Sequence, residues 1–210
     1  MSENLMIIVT GAPATGKTTL SKNLAERFNL PVINKDEIKE LLFNSIGIKD
    51  KEWALKLGMT SFQLTFFLLE KLLQAGKPFI VEGNFDDRYS TKSFLDIKSR
   101  FHHQTLQLFC HAQDEVLYER YISRDNSGNR HPGHIRLTSG FEEYKKSINS
   151  KTKLDINGCI NIDVDTTKFE TVNLQKIYDE VEKNINIFQA AKVVQPVPKF
   201  IKCSNKRRKK

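Results

Sequence analysis

No stretch of this 210-residue chain is long and apolar enough to span a bilayer. Its longest uncharged apolar run, residues 57–69, falls short of the roughly 18 residues a membrane-spanning helix requires. Nor does the N-terminus show a charged segment followed by the apolar core of a secretory leader, because the run at residues 5–9 is too short. These absences predict a cytoplasmic protein with no membrane partner. Cysteine is scarce as well. Cys110, Cys159 and Cys203 stand far apart, with neither C-x-x-C nor metal-ligand spacing. That pattern excludes a disulfide scaffold and predicts two core thiols and one tail thiol in a reduced compartment. With only ten glycines and six prolines, and no repeat of solenoid period, the composition is that of a globular domain.

Positive charge is in excess, but only locally. The formal net charge is +8, yet eight of the 33 Lys and Arg residues lie in residues 190–210, where there is no acid. The remaining 25 basic residues face 25 acidic ones, so residues 1–189 are neutral. A neutral body argues against a nucleic-acid-binding surface. Residues 190–210, with Pro196, Pro198 and the terminal Lys206-Arg207-Arg208-Lys209-Lys210, show no apolar periodicity and are read as a disordered basic tail. A solvated end is the preferred reading of that tail; nonspecific contact with nucleic acid is the other.

Within residues 1–189, short apolar runs alternate with amphipathic segments. Strands are expected at 5–10, 30–33, 78–81, 105–110 and 159–164. Helices are expected at 17–28, 49–74, 90–101, 113–124, 141–148 and 172–189. One more opens at Asn34, where Glu37 three residues on completes a capping-box pattern. A polar loop at 125–132 breaks the series, and residues 120–138 are read as a short lid. Alternating strands and helices predict one α/β domain with a five-stranded parallel sheet between two helix layers, its ligand at the carboxyl ends of the strands.

The most informative stretch is Gly11-Ala12-Pro13-Ala14-Thr15-Gly16-Lys17-Thr18-Thr19, between the first strand and the first helix. Two glycines five apart followed by Lys and Thr match the phosphate-binding loop. In that motif backbone N–H groups cradle the phosphates and the helix N-terminus faces the same anion. Lys17 reaches the β/γ-phosphates, and the Thr18 hydroxyl can hold Mg²⁺. The loop alone predicts a nucleoside triphosphate.

Several residues with chemical potential fall at expected strand ends. Asp36 follows the second strand, where a carboxylate could take a proton from an acceptor hydroxyl; an acid favoured by the helix dipole is the alternative. Glu82 ends the third strand, where an acid can orient Mg²⁺ directly or through water. Asn84, Phe85 and Arg88 follow and could form an acceptor pocket, with Phe85 equally suited to packing. Arg120 and Arg124 share a helix face with no acid three or four residues before them, and Arg130 follows across the loop. Such cations suit a lid closing over a transferring phosphoryl group. His131 and His134 lack the partners of a metal site. Trp53 and the phenylalanines at 62–67 have the spacing of core residues.

Taken together, the chain resembles the P-loop kinases of the adenylate kinase-like group. The likeness is to the branch of AAA-type ATP-binding domains related to polynucleotide 5′-hydroxyl kinases, zeta toxins and chloramphenicol phosphotransferase. It rests on residues 11–19, on Asn34-Lys35-Asp36-Glu37-Ile38-Lys39, on Val81-Glu82-Gly83-Asn84-Phe85 and on residues 120–134. The resemblance implies ATP and Mg²⁺ as cofactors, with ATP bound by residues 11–19, Arg120 and Arg124. It implies Asp36 as the group taking the acceptor proton, and Lys17, Arg124 and Arg130 as charge stabilisers. The turn typical of nucleoside monophosphate kinases after the third strand is missing, so the hydroxyl-bearing acceptor stays unidentified. The expected activity is transfer of the γ-phosphoryl group to a small molecule or nucleotide. The alternatives are an ATP-binding regulator without a small acceptor and a polynucleotide 5′-hydroxyl kinase tethered by its tail.

Overall fold

The structure is a computed structural model that describes residues 4–128, 130–134, 140–149 and 151–193, with residues 188–193 described by backbone alone. Five parallel strands, β1 (Asn4–Gly11), β2 (Val32–Asn34), β3 (Phe79–Glu82), β4 (His103–His111) and β5 (Cys159–Asp165), form one sheet in the order β2-β3-β1-β4-β5. The helices are α1 (Lys17–Phe28), α2 (Lys35–Ile46), α3 (Lys51–Ala75), α4 (Asp87–Arg100), α5 (Asp114–Asn126), α6 (Phe141–Ile148) and α7 (Leu174–Val193). The predicted five-stranded parallel α/β architecture is therefore the observed one.

The apolar runs behave as a doubly covered parallel sheet requires. Along β1 every residue is buried, and alternate side chains go to opposite faces. Leu5, Ile7 and Val9 join Leu20 and Leu24 of α1 and Ile177 and Val181 of α7 in one core. Met6 and Ile8 join Leu69 and Leu73 of α3 and Phe94 and Ile97 of α4 in the other. β1 pairs with β4 from Asn4 opposite His103 to Gly11 opposite Cys110, and with β3 up to Val9 opposite Glu82. The sheet order reverses at β1, so the loop that leaves it opens at the switch point where such sheets bind ligands.

Some boundaries differ from the sequence expectation for local reasons. Helix α4 starts at Asp87, not residue 90, because the Asp86 carboxylate accepts the Arg88 N–H at 3.1 Å and caps it. β2 ends one residue later than expected, since Asn34 is both its last residue and the cap of α2, accepting from the N–H groups of Asp36 and Glu37. The last helix starts at Leu174, two residues later than expected, after a 3₁₀ turn at Phe169–Thr171, and α7 runs on to Val193. The segment 190–193, assigned to the tail, is thus helical, while 194–210 lies outside the described residues. Cys110 is fully buried, but Cys159 is only half-buried, so the expectation of two core thiols holds for one. Phe85 is 1% exposed and meets Phe94 edge to face at 5.1 Å, which makes it a core residue and not part of a pocket. Among the described residues no helix is long and apolar enough to cross a membrane.

Phe94 stands between Phe66 and Phe85, with ring centroids at 4.9 and 5.1 Å. Phe94→Ala is expected to destabilise the fold by about 3–5 kcal/mol through lost burial and the cavity left behind. Urea unfolding followed by circular dichroism checks this; a loss under about 1 kcal/mol would mean the aromatic cluster is not part of the cooperative core.

Candidate active site

The phosphate loop has the backbone conformation that cradles anions. Gly11 (φ 143°), Ala14 (φ 69°) and Gly16 (φ 78°) take positive φ values that turn successive N–H groups inward. Glycine is needed at both ends. A Cβ at Gly11 would lie 2.0 Å from the Cys110 carbonyl oxygen, and one at Gly16 would lie 2.4 Å from the Phe169 ring. Gly16 caps α1 without any side-chain hydrogen bond, and the first turn of α1 carries no acid. The orphan N–H groups of that turn are left for an external anion. Tyr144 of α6 braces the loop from outside, its hydroxyl donating to the Pro13 carbonyl at 3.1 Å.

Lys17 is 7% exposed and bends back over the loop, donating to the Ala12 carbonyl at 2.7 Å and contacting the Thr15 hydroxyl at 3.4 Å. Burial pushes its ammonium pKa down, opposed by the charge of Glu82. Glu82, only 3% exposed, is pushed the other way by burial, opposed by Lys17. Its carboxylate accepts from the Thr18 hydroxyl at 3.2 Å and from the Asn34 amide. One strand end, one helix start and one helix cap therefore converge on Glu82. Cys110, beside them, has its thiol pushed up to about 12 by burial and stays protonated.

Asp36, in the first turn of α2, lines the same cavity as Lys17, Thr18 and Glu82. Burial alone would raise its pKa. The Lys35 ammonium at 2.8 Å, with His134 and Lys17 further off, outweighs that and holds the carboxyl at about 2. Asp36 is thus an anion throughout the neutral range, half-exposed and aimed at the space beyond the loop.

The arginines divide between the two sides of this space. Arg120 donates to the Thr167 carbonyl at 3.0 Å and lies 4.1 Å above the Phe169 ring, which itself packs on Gly16. Arg124 lines the cavity close enough to Lys17 to lower its pKa further. Arg130 also lines it, but pairs with Asp125 at the end of α5 and covers the Tyr121 ring at 5.3 Å. Two residues of the expected lid, His131 and His134, meet α2. His134 Nε2 meets Glu40 at 2.8 Å, His131 Nε2 meets Asn44 at 3.1 Å, and the His131 ring stacks on Phe43 at 5.7 Å. Residues 129 and 135–138 of that lid lie outside the described residues.

These side chains enclose one cavity of about 610 Å³. Asn84 lines it. Arg88 does not: it turns outward and makes a two-point pair with its neighbour Asp86, so its expected place in an acceptor pocket is not observed. Lysines that the sequence did not single out take that place. Lys35 and Lys39 come from α2, Lys51 from the start of α3, and Lys151 from beyond α6, where it pairs with Asp86 at 2.8 Å. Only Lys35 and Lys39 carried a sequence signal, four apart on the helix that bears Asp36; Lys151 arrives through tertiary structure alone.

A family model described as an AAA domain matches residues 6–136, more than half of the chain. The chain belongs to this family of P-loop kinase-like AAA domains. A candidate kinase from Chloroflexus aurantiacus has 33% identical sequence and a TM-score of 0.80, the match covering 88% of this chain and 99% of that one. A sugar kinase from Janibacter sp., 13% identical with a TM-score of 0.53 over 90% of this chain and 98% of that one, shares the fold. An uncharacterised Mycobacterium tuberculosis protein is 25% identical over 57% of this chain, and the chain spans only about a quarter of that relative's length. The family and the candidate kinase that shares this fold point to ATP-dependent phosphotransfer.

In this AAA domain the Lys35–Asp36 pair makes a pH prediction. A folded-state pKa near 2, below an unfolded value of about 3.9, adds stability above about pH 4 that is lost as pH falls towards 2. In Lys35→Met the Asp36 midpoint should rise by about one unit or more, shrinking that acid-side contribution. Carboxyl ¹³C shifts between pH 2.5 and 6, together with acid unfolding curves, measure it. An unmoved midpoint would show that Lys35 does not set the charge.

Proposed function

We propose that this protein transfers the γ-phosphoryl group of ATP, with Mg²⁺, to a hydroxyl of a small molecule or nucleotide bound beside Asp36. The observation that carries this reading is the shared cavity: the phosphate loop with Lys17 lines one part of it and the Asp36 carboxylate another.

Thr18 and Glu82 suit the metal. Mg²⁺ commonly takes one or two protein oxygens and completes its shell with phosphates and water. The Thr18 hydroxyl and Glu82 carboxylate, 3.2 Å apart, offer that pair, and no group of three or more His, Cys, Asp or Glu forms a separate metal cage among the described residues. When bound, the ion would neutralise charge on the phosphates. Asn34 fixes Glu82 in place for that role.

The protein's own residues supply positioning and charge. The loop N–H groups and the start of α1 hold the phosphates, and Lys17 exchanges its carbonyl partner on Ala12 for phosphate oxygen. Arg120, with Phe169, offers a flat cationic wall for the nucleotide, while Arg124 and Arg130 meet charge developing on the transferring group. Asp36 accepts a hydrogen bond from the acceptor hydroxyl and takes its proton late. A carboxylate with a pKa near 2 is a weak base, and a loose transition state asks little of it before the new P–O bond is well advanced.

Asp36→Asn should lower kcat by about 10²-fold or more with the acceptor and leave the ATP Kd within about two-fold. Glu82→Gln should leave nucleotide affinity without metal largely intact and abolish the gain that Mg²⁺ gives. Calorimetry of ATP with and without Mg²⁺, and a screen for acceptor-stimulated ATP consumption, read both out. Unchanged turnover in Asp36→Asn with ATP still bound removes the base assignment.

A further inference from the structure

The part of the cavity beyond the phosphate loop holds more positive charge than a neutral alcohol needs. Lys35 is matched by Asp36 at 2.8 Å, and Lys151 by Asp86 at the same distance. Lys39 and Lys51 remain, and among the described residues neither has an acid within ion-pair distance. The third acid of the lining, Glu143, belongs to α6, the helix that braces the phosphate loop.

Lys39 and Lys51 belong to one wall. Lys51, Ala54, Leu55 and Gly58 follow one another at helical spacing along one side of α3, and the first three line the cavity. The Lys39 side chain reaches across from α2 to Gly58, where a Cβ would lie 3.6 Å from its ammonium; that ammonium also stands 5.5 Å from the Phe43 ring centroid. That is ordinary contact distance, so the lysine lies against the side of α3. We propose that the acceptor is itself an anion, a hydroxyl compound whose phosphate or carboxylate group is held by Lys39 and Lys51 while its hydroxyl meets Asp36. This rests on the phosphotransferase reading above and names the substrate class.

The arrangement costs stability unless an anion completes it. Lys35 and Lys39 are like charges four residues apart on one helix, a spacing that repels. Burial, reinforced by Lys35, pushes the Lys39 ammonium down, and the charge of Asp36 only partly opposes this. On this reading Mg²⁺ and the loop would meet the charge of the triphosphate and leave these lysines to the acceptor. A bound anion would do so, and it would set the acceptor's orientation by a contact remote from the reacting hydroxyl, the usual way to align a small substrate. Ala54 and Leu55 add an apolar strip beside the two cations, suited to the carbon skeleton between anion and hydroxyl.

The test uses the full chain with the donor site filled by Mg²⁺ and a non-hydrolysable ATP analogue. Inorganic phosphate is titrated by calorimetry, and matched acceptor pairs (sugar phosphate and sugar, hydroxy acid and diol) are screened for transfer from ATP. Phosphate should bind saturably to the analogue complex, and Lys39→Met and Lys51→Met should each weaken it about ten-fold without changing analogue affinity. Turned-over acceptors should be the charged members of their pairs, the sugar phosphate or the hydroxy acid distinguishing the two anions. Lys39→Met should raise their KM about ten-fold with a smaller effect on kcat. Turnover of the neutral members alone, or phosphate binding indifferent to both substitutions, overturns the anionic acceptor and leaves the kinase reading standing. Lysine-dependent phosphate binding with no acceptor of either kind turned over supports the anion site and removes the kinase reading instead.

Discussion

A lysine and a glutamate, both nearly removed from water at the carboxyl edge of the sheet, set the terms for the rest of this molecule. Burial disfavours the charge on Lys17 and on Glu82, and each is the main charge opposing that effect on the other. Such a pair is expensive to desolvate, and its mutual attraction rarely makes it a net source of stability. It persists here because hydrogen bonds complete it from several directions. The loop carbonyl of Ala12 takes the ammonium, while the Thr18 hydroxyl and the Asn34 amide take the carboxylate. Those partners come from the phosphate loop, the start of α1 and the junction of β2 with α2. Holding the two charges in register therefore fixes how three chain segments meet.

That constraint also explains why apolar residues dominate the strands below. A sheet edge carrying buried charges and strained loop residues has to be held by something rigid, and the two cores on either face of β1 supply it. β1 has no exposed residue along its length. The loop conformation at Gly11 depends directly on this packing, since the neighbouring strand's carbonyl occupies the space of a side chain. The energetic cost of the site is spread over the whole central sheet.

The phosphate loop was legible in the sequence because its geometry is local. Residues 11–19 determine their own shape through glycine positions and the following helix, so a pattern in nine consecutive residues was enough. Asp36 and Glu82 were legible because a parallel sheet sends its strand ends to one edge, whatever lies between them. The rest of the cavity lining was not, for the opposite reason. Arg88 follows Glu82 closely and looked well placed, but Asp86 caps α4 and captures it in the same turn. Lys151, 115 residues from Asp36, enters by way of a segment with no sequence signature. Which cations line a pocket depends on local acids that neutralise some and leave others. No spacing rule reports that balance.

Helix α2 joins the two halves of the problem. Its cap, Asn34, holds Glu82; its first turn carries Asp36; its second carries Lys39 and presents Glu40 to His134; its third presents Phe43 and Asn44 to His131. A helix moves as a rigid unit, so the cap that holds Glu82, the Asp36 carboxylate and the groups that meet His131 and His134 share one mechanical element. The clasp between lid and helix is itself soft. Burial pushes His134 down, with Asp36 and Glu40 opposing, so near neutral pH its bond to Glu40 is an ordinary hydrogen bond between a neutral ring and a carboxylate. At its start the helix is tied to Glu82 through Asn34 and carries the Lys35–Asp36 pair, while one turn on it meets His134 through a single contact with a neutral ring.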